Sequence, residues 1–205
     1  MTTAMNFLPS DGKGALLGEI AMVFPNQGHW SEKDYLDLSE RTNRLIEMND
    51  GCLEVPDFPG KIHQQITYFL LRSLEDFVRP NKLGKVIFAA YPLRLRDDRF
   101  REPDVLFVLT EHLAWFGGKF ATGADLVVEV VSEDRARDFH KKRSEYEEAG
   151  IPEYWIVDPR ERQITVLGLV NGVYEVVGDY SGEGRAESKI LPGFAVELAM
   201  VFSES

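Results

Sequence analysis

The sequence predicts an α/β fold: a central mixed β-sheet flanked by helices, with additional β-hairpins. Three observations carry this expectation. Leu126 to Val131 is a near-continuous apolar run, as in a strand covered on both faces. Residues 138–149 read as a helix between that run and a second apolar run, Glu153 to Asp158, which is the layout of a crossover connection. Upstream, Ile62, Ile66, Phe69, Leu70 and Phe77 recur at helical spacing, so a long helix is expected from about Lys61 to Val78, ended by Pro80.

The remaining elements follow in order. Residues 1–28 show little periodicity and several glycines, and are expected to form a loosely ordered arm. That leaves 29–205 as a single domain, and 205 residues suffice to bury a substantial core without staples. Ser31 with Asp34 resembles a capping box before a short helix reaching about Leu38. Leu45 to Met48 and Cys52 to Val55 read as short strands around Asn49-Asp50-Gly51, a hairpin-turn signal. Lys85 to Ala90 and Pro92 to Arg96 are strand-like, as are the runs opening at Asp104 and Asp125, which a loop containing Gly117-Gly118 separates. Gly150 is a suitable C-terminal stop for the 138–149 helix. Gln163 to Leu169 and Tyr174 to Val177 flank Asn171-Gly172, a second hairpin turn, and Phe194 to Leu198 suggests an edge strand.

Composition narrows the function classes. One cysteine, Cys52, excludes an intramolecular disulfide and a cysteine-based zinc site. Met1 to Gly14 lacks a basic region followed by an apolar run, and no apolar stretch is long enough to span a bilayer. A cytoplasmic protein without membrane association is expected. The net charge of −11 argues against a general nucleic-acid coat, since polyanion binding draws on positive charge. Basic residues nevertheless cluster from Lys61 to Arg101 and again at Arg135, Arg137, Lys141, Lys142 and Arg143, flanking the segments that matter most below.

Two carboxylates sit in apolar strands: Asp104 opens Val105-Leu106-Phe107-Val108, and Glu129 lies among valines near the end of its run. A carboxylate there loses hydration, which costs kilocalories unless something pairs with it. Strand alternation puts Asp125, Val127, Glu129 and Val131 on one face and Leu126, Val128 and Val130 on the other. Two hard oxygen ligands on neighbouring strands suit Mg2+ or Mn2+. On the next helix Asp138, Lys142 and Tyr146 are spaced i, i+4, i+8 and share a face, so the Lys142 ammonium can return to the same pocket. A lysine beside a metal-activated water can orient it and offset charge developing on phosphate.

These residues resemble a known family. Glu47-x3-Gly51, His63, Pro103-Asp104-Val105, Glu129-Val130-Val131-Ser132, Asp138-x3-Lys142-x3-Tyr146 and Ala149-Gly150-Ile151-Pro152-Glu153-Tyr154-Trp155-Ile156-Val157-Asp158-Pro159 are similar to the Uma-type family. This is a large bacterial group of candidate restriction endonucleases within the PD-(D/E)XK nuclease superfamily, and the similarity spans roughly residues 30–202. The resemblance implies a restriction endonuclease-like fold and a Mg2+- or Mn2+-dependent endonuclease acting on DNA. Asp104 and Glu129 match the metal-binding acids, with the Val130 backbone carbonyl as a further ligand. The superfamily's E-x-K lysine falls at Val131, and Lys142 on the next helix matches the substituting position, with Lys141 the neighbouring alternative. Glu47 matches an upstream acid that adds a ligand or orders a water, and His63 a supporting position. A homodimer is compatible with cutting two strands. The rival expectation is a catalytically inactive nuclease-fold protein that binds nucleic acid or regulates, suggested by the acidic net charge and the valine at 131.

Overall fold

The structure is a computed structural model and describes residues 26–203 except 43, 44, 57, 133, 134 and 136; for Arg137 and Asp138 it describes the backbone alone. Chain order begins with α1 (Glu32–Ser39), β1 (Glu47–Asn49), β2 (Cys52–Glu54) and the long helix α2 (Lys61–Asn81). Then come β3 (Gly84–Phe88), β4 (Leu93–Arg96), β5 (Arg99–Arg101), β6 (Val105–Leu109), a 3-10 turn (Thr110–Trp115) and β7 (Leu126–Val130). A π-helix (Arg137–Lys142) runs directly into α3 (Arg143–Glu148), followed by β8 (Glu153–Asp158), β9 (Gln163–Val170), β10 (Val173–Ser181), β11 (Arg185–Glu187), β12 (Ala195–Glu197) and α4 (Leu198–Val201). Of the arm expected over residues 1–28, positions 1–25 lie outside the described residues. The end of that span is held: Gly28 donates its N–H to Gly51 at 2.8 Å, and the Gln27 side chain accepts from Leu53 N at 2.7 Å.

The main sheet has the order β10-β9-β8-β7-β6-β3, in which β7 and β8 are parallel and the other described neighbours are antiparallel. It is therefore mixed, as expected, and the helix between β7 and β8 is the crossover. Every residue of β7 is buried, which is why its sequence is apolar on both faces. Leu126, Val128 and Val130 face α2, whose Ile66, Leu70, Leu74 and Val78 are each at most 2% exposed. Val127 and Val131 pack on the other face with Tyr146, Tyr154 and Ile156. Each such side chain gains about 1.5–3 kcal/mol from leaving water, so α2 is held by burial of this stripe rather than by its intrinsic propensity.

A smaller sheet, β2-β1-β5-β4, carries its own cluster of Tyr35, Leu36, Ile46, Met48, Leu53 and Phe100. Its β1–β2 hairpin turns through Asp50 and Gly51, both at positive φ (51° and 70°), with Asn49 paired to Cys52. Asn171 and Gly172 repeat this arrangement between β9 and β10. Two-residue loops of this type match the right-handed twist of the flanking strands. Ser31 caps α1 as expected, accepting from Asp34 N at 3.2 Å and donating to Asp34 Oδ2 at 2.6 Å.

Several boundaries differ from expectation. α2 continues through Pro80 to Asn81 and ends at Lys82 in the left-handed region, so the proline forfeits one i→i−4 bond and the helix stops one residue after it. Ile62 is 42% exposed, and the buried stripe is the strict i+4 row of Ile66, Leu70, Leu74 and Val78. The 138–149 helix begins as a π-helix, a rare form that is frequent at functional sites. β10 extends to Ser181 through a register shift between Val176 and Gly178. The edge strand expected from Phe194 is β12, and it pairs with the unanticipated β11 in a separate sheet. β5 was hidden because Arg99-Phe100-Arg101 shows one apolar residue between two arginines.

Candidate active site

The antiparallel pairing of β6 with β7 aligns Val105 with Val128, so Asp104, one step before β6, comes opposite Glu129. Its Oδ2 accepts from Val130 N at 2.8 Å and lies 3.2 Å from His63 Nε2 on the first turn of α2. Both contacts fall on Oδ2. The Val130 N–H is thus what touches Asp104, whereas its carbonyl was the group expected to serve as a ligand.

Glu129 is 2% exposed and is held from the crossover helix. Tyr146 Oη donates to Oε1 at 2.6 Å, and Lys142 Nζ lies 2.8 Å from Oε2. Burial, followed by the charge of Glu129, pushes the Tyr146 phenol far above its usual pKa, so it remains a hydrogen-bond donor. For His63, burial disfavours the imidazolium, but the hydrogen bond and charge of Asp104, aided by Glu129, outweigh burial and the opposing charge of Lys142. Its pKa is therefore raised. The direct contacts are thus His63 with Asp104 and Lys142 with Glu129, the two acids lying opposite each other.

The other expected residues make the following contacts. Lys141 Nζ binds Glu54 Oε1 at 2.5 Å and is 40% exposed, so of the two adjacent lysines it is Lys142 that contacts Glu129. Glu47 is 1% exposed, takes Arg101 Nη1 on Oε2 at 2.8 Å and accepts Glu102 N on Oε1 at 3.2 Å. The side chain of Asp138 lies outside the described residues. Asp125 shares a strand face with Glu129 but serves the far end of β7, accepting from Leu109 N at 2.7 Å and lying 2.8 Å from His112 Nδ1. Glu153 is a structural acid: it accepts Trp155 Nε1 at 2.7 Å and the N–H groups of Lys189 and Ile190 at 2.6 and 3.1 Å.

Several arginines of the basic segments meet carboxylates of the same chain, while Lys61, Arg72, Arg79, Lys82 and Lys85 are exposed. Arg101, counted with the basic stretch, is fully buried; Nε and Nη2 reach the two oxygens of Glu145 at 2.6 and 2.7 Å, and Nη1 reaches Glu47 and Glu54. Arg94 pairs with Glu32, Arg96 with Asp50, Arg99 with Glu148 and Arg135 with Asp158. These four arginines therefore have carboxylate partners within the chain. Next to Arg101, Glu102 is 6% exposed with Oε2 unpartnered among the described residues. Burial first, then the charge of Glu47, pushes its carboxyl up to about 8, against a backbone hydrogen bond from Ile46. Nothing in the sequence pattern isolates Arg101 or Glu102, since both read as ordinary polar positions in a charged stretch without strand alternation.

A family model described as "Putative restriction endonuclease" (Uma2) matches residues 32–200. The chain belongs to this family. Among solved structures it resembles "a putative nuclease belonging to DUF820" from Anabaena variabilis ATCC 29413, with a TM-score of 0.66 at 14% identity over 82% of this chain and 97% of that one. At that identity the likeness is one of fold, which is restriction endonuclease-like. No curated protein matches the chain. Within this Uma2-family chain, no helix of the described residues is long and apolar enough to cross a membrane.

The donor set can be weighed against the divalent cation that such nucleases generally use. No group of three or more His, Cys, Asp or Glu suited to a metal occurs among the described residues. A hard cation such as Mg2+ commonly takes only one or two protein carboxylates and fills its shell with water and phosphate oxygens. Asp104 and Glu129 from adjacent strands meet that requirement, and Asp104 makes both of its contacts through one oxygen. The residues fit the ion.

Proposed function

We propose that this protein is a Mg2+- or Mn2+-dependent endonuclease that hydrolyses phosphodiester bonds in nucleic acid, with DNA as the substrate. The observation that carries the reading is the convergence of Asp104, one step before β6, with Glu129 of β7, whose carboxylate lies 2.8 Å from the Lys142 ammonium. Asp104 and Glu129 would hold the cation, which supplies Lewis-acid polarisation of a phosphoryl oxygen when bound. Lys142 provides a positive charge next to the reacting phosphate and is positioned to offset the charge that develops there. Tyr146 fixes one oxygen of Glu129 and thereby orients the carboxylate. His63 and the Val130 N–H do the same for Asp104. Glu47 supports them through Arg101 and the Glu102 N–H.

Purified protein incubated with duplex DNA, single-stranded DNA and RNA, in Mg2+, Mn2+ or EDTA, tests the proposal. Cleavage that requires the ion and is lost in Asp104→Ala, Glu129→Ala and Lys142→Ala supports it. Cleavage of none of these substrates, or undiminished cleavage by all three variants, rejects it. A homodimer would present two such sites to a duplex, and light scattering of the purified protein measures that directly.

A second reading has its own support: an inactive nuclease-fold module that binds nucleic acid or regulates. Both oxygens of Glu129 are engaged by Tyr146 and Lys142, and most of the clustered arginines are paired internally. Calorimetric titration with Mn2+ separates the two readings. An inactive module takes up no ion that depends on Asp104 and Glu129, while the endonuclease does.

A further inference from the structure

We propose that Arg101 is a positioning residue for the Glu129–Lys142 pair, setting the register of the crossover helix through its two-pronged bond to Glu145. The inference deepens the nuclease reading, on which it rests for the importance of Lys142. Arg101 closes β5 and has no exposed surface. Taking a guanidinium out of water costs several kilocalories unless its donors are satisfied, so its surroundings constrain it tightly. Here the fork meets Glu145 on both oxygens, and Nη1 is shared by Glu47 of β1 and Glu54 of β2. One side chain therefore ties the small sheet to the helix.

Glu145 lies three residues after Lys142 and one before Tyr146, the two groups that grip Glu129. The helix changes from π to α between Lys142 and Arg143, so no uniform repeat dictates which lysine faces β7. A slip of one residue would put Lys141 or Arg143 in the place of Lys142. It would also put Ser144 or Tyr146 against the Arg101 fork, and neither offers two parallel acceptors. The observed register satisfies both lysines at once, Lys142 on Glu129 and Lys141 on Glu54, and Glu54 is also an Arg101 acceptor. Arg101 stands two residues before Pro103-Asp104, so the same anchor sits at the entry to the strand bearing the other acid. A lysine could supply the charge but not the planar fork.

Amine labelling of the full chain, read at each lysine by mass spectrometry, tests this without requiring cleavage. In the wild type Lys142 is protected and Lys141 reacts. In Arg101→Lys, and in Glu145→Gln should the first variant fail to fold, protection of Lys142 is expected to be lost. Leu70→Ala, which loosens the opposite face of the sheet, should leave it in place. Retained protection of Lys142 in a folded Arg101→Lys or Glu145→Gln protein overturns the proposal. Equal loss in Leu70→Ala also overturns it, because general loosening would then be the cause. Where cleavage is measurable, kcat should fall in Glu145→Gln with KM for the oligonucleotide unchanged, and a rise in KM alone counts against the proposal. A wild-type protein that cuts nothing would reject the nuclease reading, while the labelling result would still decide the role of Arg101.

Discussion

Replacing Lys142 with methionine keeps the aliphatic stem and removes the ammonium 2.8 Å from Glu129. The two side chains are 9% and 3% exposed, which places the pair among buried ion pairs rather than surface ones. Removing one partner of a buried pair typically costs about 3–5 kcal/mol, because the remaining charge is left in a poor solvent. A surface pair costs about 0.2–1 kcal/mol. The Tyr146 hydroxyl stays on Glu129 in the variant and softens the loss, so about 3 kcal/mol is expected. Replacing both partners, in Glu129→Gln with Lys142→Met, should cost clearly less than the two single changes added together. Urea denaturation in EDTA, followed by tryptophan fluorescence, measures all four corners of this cycle. A Lys142→Met cost below about 1 kcal/mol, or strict additivity, would refute the assignment of Lys142 to a buried pair with Glu129.

Glu102 predicts a pH dependence of opposite sense to that of a salt-bridged acid. Its carboxyl is raised from 4.5 to about 8, so its contribution to stability is complete below its unfolded value and is lost as pH rises through about 8. Glu102→Gln should therefore gain on wild type by up to roughly 5 kcal/mol between pH 5 and pH 9, and a pH-independent difference in unfolding free energy would contradict this. Leu70→Ala, at a position 1% exposed beneath the main sheet, should cost about 2–5 kcal/mol in the same denaturation assay. Lys141→Ala breaks a pair that is 40% and 23% exposed and should cost less than about 1 kcal/mol. In the cleavage assay it should retain activity that Lys142→Ala loses, and the reverse order would move the reacting lysine to Lys141.

How much of this was legible depended on the kind of signal. A near-continuous apolar run identified the buried strand β7, and helical spacing identified α2, although the spacing did not single out Leu74 and Val78 of its buried stripe. The two hairpins were legible in Asp50-Gly51 and Asn171-Gly172, where few residue pairs accept two positive φ values. The short strand β5 was not, since its role is to carry Arg101 inward and an arginine ordinarily signals solvent. Spacing put Lys142 and Tyr146 on one helical face, and both do reach Glu129. Spacing could not separate Lys142 from Lys141, which are neighbours in sequence and are parted only by what each one meets.

The sequence by itself determined the apolar scaffold, the caps and turns, and the presence of two acids in places where an acid is costly. Those are local properties, written in the period of hydrophobic residues and in residue-specific backbone preferences. Tertiary structure alone decided which charges meet. It sent Arg94, Arg96, Arg99 and Arg135 to internal carboxylates, buried Arg101 among three glutamates, and left Glu102 with its proton near neutral pH. The physical reason is that a charged side chain takes its partner by distance in the folded chain. Arg101 and Glu145 are 44 residues apart in sequence and 2.6 Å apart in space, a pairing that only the assembled sheets and helix create.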